Sequence, residues 1–300
     1  NITAIVTVSD DGGSSGILRK QLGVQPPGDI RNCLAALSNE EPTLTRLFQY
    51  RFSGGSGLDG HSFGNLFLSA LTTITGSLEK AVQASSKVLA VQGQVLPATN
   101  TDVMLWAELE DGEKIFGESN ISKSKKNISR IGYLPENPSA LPSALESIKE
   151  ADLIILGPGS LYTSLLPNLL VPEIVDALLQ SKAPKIYISN LMTQPGETDG
   201  LDVYQHVKSI EKQLSNFGIN TRIFNAILSQ IKFEKSPLVD YYESRGAEPV
   251  KCNKEKLLSE GYYVLQAPLY SRRITPTLRH DPRRLARAVM FLYKKLKKLN

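Results

Sequence analysis

Two adjacent acids, three glycines and three serines close the first apolar run of the chain, in "VSDDGGSSG", Val8 to Gly16. Gly12 and Gly13 let backbone approach a ligand, and the Ser14 and Ser15 hydroxyls and nearby N–H groups can hold phosphate oxygens. Asp10 and Asp11 could hold Mg2+ or a ribose hydroxyl. An Asx-turn with a helix cap also explains one of the aspartates and one serine.

A second loop, "GPGSLYTS", sets Gly157, Pro158 and Gly159 ahead of Ser160, Thr163 and Ser164. Hydroxyls and free N–H groups at a helix start, with no acid in the stretch, suit an anion. It lacks the lysine of a P-loop, so ATP hydrolysis of that type is not indicated. A plain strand-to-helix turn is the alternative. The third, "NLMTQPGETDG", offers Asn190, Thr193, Gln194, Glu197 and Thr198, an inventory suited to a base, a sugar or a second substrate, or else to a solvated surface loop.

Two shorter stretches join them. "PPGDIRN" places Asp29 at a helix N-cap with Arg31 and Asn32 in the first turn, where Arg31 could bind phosphate or pair with an acid of the first loop. "GLDGHSFGN" places His61 and Asn65 at the start of an apolar helix, where the histidine could be a general acid or base, a phosphate ligand or a structural residue. His206 reads as a surface residue of an amphipathic helix. His280 reads as packing at the start of a helix opened by Asp281-Pro282. The three histidines and the cysteines Cys33 and Cys252 lack metal-ligand spacing, which argues against zinc. No G-x-S-x-G elbow or Cys/His pair suggests a covalent hydrolase.

The elements that must position these loops are strands alternating with helices. "TAIVTVS", "ADLIILG", "KIYISNL", "TRIFNAIL" and "GYYVLQA" read as strands of a parallel sheet covered on both faces, and ligands of such sheets bind beyond the carboxyl ends of the strands. A long apolar pattern from His61 breaks near Gly76, and "LDVYQHVKSIEKQLSNFG" is an amphipathic helix ended by Gly218. "DVMLWAELEDGEKIFGES" departs from that rhythm as a hairpin turning at Asp111-Gly112.

A chain of 300 residues with ordinary apolar and charged fractions can bury a large core without disulfides, so the two cysteines read as free thiols in a reducing cytoplasm. No apolar run approaches the roughly 18 residues a membrane span needs. The net charge of +4 is concentrated in "YKKLKKLN", which reads as a helix end and not as a nucleic-acid or membrane surface.

Taken in order, "SDDGGSSG", "PPGDIRNCLAALS", "GHSFGNL", "GPGSLYTSLLPNLLV" and "NLMTQPGETDG" resemble the YvcK/CofD-like family, and most closely its YvcK branch, the gluconeogenesis factors. The resemblance runs from Ile2 to the "RHDP" stretch. It implies one Rossmann-like, doubly wound, mostly parallel α/β domain over 1–300, with a small antiparallel hairpin insertion at about 93–132. In the family, a strand and a "GGGTG"-type glycine loop belonging to the nucleotide site lie ahead of the point where this sequence begins. The CofD branch transfers a phospholactyl group from a guanosine-diphosphate-linked donor with Mg2+, held at the acidic pair matching Asp10 and Asp11. The YvcK branch is associated with gluconeogenic growth, cell shape, wall synthesis and the binding of UDP-sugars such as UDP-N-acetylglucosamine. The expectation is a cytoplasmic, homo-oligomeric nucleotide-sugar-binding protein with partners in cell-wall synthesis, the alternative a Mg2+-dependent transferase.

Overall fold

The structure is a computed structural model describing residues 1–39, 42–55, 57–124, 126–234, 236–270 and 277–298. Strand β1 (Thr3–Val6) pairs in parallel with β2 (Gln94–Pro97), Thr3 opposite Gln94. A parallel pairing needs a crossover. Here it carries the helices Gly13–Leu22, Gly28–Leu37, Pro42–Gln49, Phe63–Thr75 and Leu78–Val88. The last two are divided at Gly76, which is left-handed at φ 79° and caps the first, as the sequence pattern predicts.

The hairpin follows. β3 (Met104–Leu109) pairs antiparallel with β4 (Lys114–Phe116) across the Asp111-Gly112 turn, and on its other side with β5 (Ile128–Leu134). β3 alternates buried and less buried residues because only one face meets the core.

The second parallel sheet has the order β6 (Ile154–Leu156), β7 (Lys185–Ile188), β8 (Ala226–Gln230), β9 (Tyr263–Ala267). The parallel strands thus fall into two sheets with the antiparallel one between them in the chain. Central β8 is buried at every residue, and its faces divide by alternation. Tyr187 and Ile227 pack with Val203, Val207, Ile210 and Leu214 of the helix Val203–Ser215, whereas Ile186, Ile188, Ala226 and Leu228 pack with Leu292 and Leu296 of the helix Pro282–Leu296. Both faces are therefore covered, as the apolar runs require.

One reading is corrected here. His206 is not a surface residue but fully buried, with Nδ1 3.4 Å from the Tyr187 hydroxyl. Burial holds its pKa down at about 4, against the opposing pull of Asp202. The Asp281 carboxylate caps the final helix by accepting the Arg283 and Arg284 N–H groups, both at 3.0 Å. Leu299 and Asn300 of the basic tail lie outside the described residues. Among the described residues no helix is long and apolar enough to cross a membrane, and Cys33 and Cys252 are free.

Candidate functional site

Three helix starts converge after β1. The helices beginning at Gly13 and Gly28 have no side-chain cap, while that beginning at Phe63 is capped by Ser62, whose hydroxyl accepts the Asn65 N–H at 3.1 Å. Asp10 joins the first two. Its Oδ1 accepts the Gly12 N–H at 2.9 Å, and its Oδ2 lies 2.1 Å from where a side chain on Gly28 would start, with Ser15 Oγ at 2.6 Å from the same point. Only glycine fits at 28 without displacing one of them. Ser14 Oγ is hydrogen-bonded to His61 Nδ1 at 3.1 Å, and Asn65 Nδ2 donates to Ser15 Oγ at 3.3 Å. Ser14, Ser15, His61 and Asn65 are all buried, so this part of the expected constellation forms one packed hydroxyl-imidazole-amide network. The uncapped first turns leave N–H groups that suit an anion.

Asp29 and Arg31 stand beside it on the first turn of Gly28–Leu37, with Asn32 exposed next to them. Burial raises Asp29 to about 6, helped by the charge of Asp10 and opposed by Arg31. Burial and then Arg51 hold Arg31 below its usual range, against Asp10 and Asp29. Arg31 Nη2 donates to Asn32 Oδ1 at 2.6 Å, and its buried Nε has no partner.

The second glycine loop differs from its expected role. Gly157 adopts φ 93° and lies so close to β7 that a side chain there would begin 2.4 Å from the Ile188 carbonyl oxygen. Pro158 is exposed, and the Gly159 N–H donates to Asn190 Oδ1 at 3.1 Å, joining the second and third loops. The anion at the start of the following turn is the protein's own. The Glu197 carboxylate accepts the hydroxyls of Ser160, of Thr163 (3.3 Å) and of Ser122 (3.1 Å), together with the Gln194 amide at 2.9 Å. Burial nevertheless raises Glu197 above the usual carboxylate range, against these hydrogen bonds. Thr193 and Thr198 serve the loop itself, since their hydroxyls accept the N–H groups of Glu248 and Gln194, each at 2.8 Å.

The short helix Glu118–Ile121 of the antiparallel insertion ties the halves together, and no sequence motif pointed to it. Asp11 Oδ1 accepts the Ser119 N–H at 2.7 Å, and Asp11 Oδ2 lies 2.1 Å from where a side chain on Gly117 would begin. At its other end Ser122 reaches Glu197. Glu118 lies between, and burial followed by the charges of Asp10, Asp29, Asp11 and Glu197 raises its carboxyl to about 8. Such a shift favours its protonated form, which can donate a hydrogen bond. A Mg2+ ion needs only one or two carboxylates beside ligand oxygens, and Asp10 and Asp11 each spend Oδ1 on a backbone N–H. The two carboxylates diverge, one to the glycine loop and one to the insertion, and among the described residues no three His, Cys, Asp or Glu side chains are grouped to hold a metal ion.

Residues 1–270 match the family model described as "2-phospho-L-lactate transferase CofD". The chain is 47% identical over 296 residues to the gluconeogenesis factor of Bacillus subtilis, covering 98% of this chain and 91% of that protein. It is 55% identical over 293 residues to a gluconeogenesis-factor relative from Nostoc, of whose length it spans only 63%. A crystal structure of a UPF0052-family protein from Bacillus halodurans superposes with a TM-score of 0.90 at 46% identity, covering 97% of this chain and 91% of that one.

Proposed function

Because the chain belongs to the CofD family and matches its gluconeogenesis factors over nearly its whole length, we propose that it binds a nucleotide sugar and, in the cytoplasm, adjusts gluconeogenic growth and cell-wall synthesis through partners in that synthesis. The observation that carries this reading is the meeting of three helix starts at Asp10, Gly28 and Asn65, beside carboxyl groups that can receive sugar or ribose hydroxyls. Calorimetric titration with UDP-N-acetylglucosamine, with and without Mg2+, tests it. Saturable heat supports the reading, and no heat for any nucleotide sinks it.

One observation favours a second reading, transfer of a phospholactyl-type group from a nucleoside-diphosphate-linked donor. Glu118 stands beside the contact of Ser119 with Asp11, its carboxyl raised to about 8 by burial and the neighbouring acids, and could protonate a leaving phosphate oxygen. Positioning by the helix starts would supply most of the remaining catalysis. Release of nucleotide from such a donor in the presence of a deazaflavin acceptor, lost in Glu118→Gln, is the expected result. Turnover unaffected by that substitution removes Glu118 from the reaction.

A further inference from the structure

The turn from Gly157 to Thr163 looks from sequence like a phosphate seat, yet its hydroxyls are spent on the Glu197 carboxylate. A second anion beside that buried acid would be repelled, so a phosphate-bearing ligand must be received elsewhere in the cleft. The start of the helix Phe63–Thr75 offers the place, because two arginines reach it from different directions.

Arg31 comes from the helix Gly28–Leu37 and lays its aliphatic stem across Gly64, where a side chain would begin 2.8 Å from its Cγ and 2.9 Å from its Cδ. Arg51 comes from the end of the preceding segment and is bridged antiparallel to Ser62, the cap of that same helix. Hydrogen bonds on both sides fix the bridge, from Phe52 N–H to the His61 carbonyl (2.9 Å) and from Phe63 N–H to the Tyr50 carbonyl (2.8 Å). Among the described residues, neither guanidinium has a carboxylate within 4.0 Å. Arg51 Nη1 donates to the Gly60 carbonyl, Arg31 Nη2 to Asn32, and Arg31 Nε is buried without a partner.

We propose that Arg31 and Arg51 form the anion seat of the cleft and hold the diphosphate of the ligand, with Asp29 beside Arg31 on the same helix turn. Guanidinium forks match phosphate oxygens in bidentate geometry, and two mutually repelling cations that make no carboxylate contact gain most from one. The mutual repulsion of the pair, which helps to hold Arg31 below its usual range, is consistent with this. The inference rests on the nucleotide-sugar reading for the identity of the ligand, whereas the seat itself requires only phosphate oxygens between the two guanidiniums.

The test is calorimetry on the full chain with two probes, inorganic pyrophosphate and UDP-N-acetylglucosamine. The proteins are wild type, Arg51→Ala, Arg51→Lys and, as a control, Arg245→Ala, whose guanidinium stacks on Tyr241 away from this helix start. Arg51 is exposed, so its truncation leaves the core intact, and thermal melting checks this. Loss of one charge-assisted contact should weaken both probes roughly tenfold or more in Arg51→Ala, with a shallower salt dependence. Arg51→Lys should fall between, and Arg245→Ala should match wild type. Wild-type affinity in Arg51→Ala overturns the seat while leaving the nucleotide-sugar reading intact. Arg51-dependent binding of pyrophosphate without binding of the nucleotide sugar upholds the seat and removes that reading. Failure of wild type to bind either probe overturns both.

Discussion

Glu118→Gln isolates the cost of gathering acids at the joint between the sheets. In the folded protein the Glu118 carboxyl is raised from 4.5 to about 8, first by burial and then by four neighbouring carboxylates. Where the unfolded chain has already lost this proton, the native one still holds it, so stability falls as pH rises from about 4.5 to about 8. At about 1.4 kcal/mol per unit the whole shift is worth about 5 kcal/mol, and about 3 to 5 once the cost is shared with Asp10, Asp29, Asp11 and Glu197. Glutamine keeps the shape and cannot ionise, so the variant should match wild type at pH 5 and exceed it at pH 8. For a chain of this length, with an unfolding entropy of roughly 0.6 kcal/mol/K, that gap is about 5 to 8 °C in Tm. Differential scanning calorimetry of both proteins from pH 5 to 9 measures it. Taking the difference between them cancels the smaller contribution of Asp29, which has the same sign. A Tm difference that does not change with pH, or a variant less stable at pH 8, would refute the placement of Glu118 among these acids.

Other expectations follow from the same geometry. Gly28→Ala drives a methyl into Asp10 Oδ2 and Ser15 Oγ, and should cost about 1 to 3 kcal/mol by urea unfolding and abolish nucleotide-sugar binding in calorimetry. Glu197→Ala strands the Ser160, Thr163, Ser122 and Gln194 donors and should cost about 3 kcal/mol, whereas Glu197→Gln retains acceptors and should cost about 1, both read from urea midpoints. His206 is held neutral in the fold at about 4, so the unfolded chain takes up its proton first as pH falls below about 6.5. Wild type should then lose about 3 kcal/mol between pH 6.5 and 4, a loss that His206→Leu removes from its acid-unfolding profile.

Much of this site was legible because its loops follow strands, and small residues accumulate where backbone must come close. The runs ending at Leu156 and Ser189 lead into loops that the structure joins through Gly159 and Asn190, and the run ending at Ser9 leads into the loop that packs on Gly28 and Asn65. The role of the Gly157–Ser164 turn was not legible. Its anion is Glu197, 34 residues beyond Thr163, and nothing local shows which carboxylate will fold into a seat. Glu118 was hidden for the same reason, since Ser119 is 108 residues from Asp11 and lies in an insertion outside the βα rhythm. Its one local signal is the glycine in "FGES", Gly117, which turns left-handed at φ 89°. His206 is a different case. It lies three residues after Val203 and four before Ile210, on the apolar stripe of its helix, and its polarity outweighed a spacing that indicates burial.

The three helix starts have a bearing on ancestry. Beside the arginines they present main-chain N–H groups and glycine Cα atoms around Asp10 and Gly28, which come from the backbone and not from side chains. A lineage can therefore exchange the acids that perform a reaction and keep the pocket, because the fold itself maintains the pocket's floor. Descendants that only sense a molecule and descendants that transform it could then share one scaffold and differ in a few surrounding side chains.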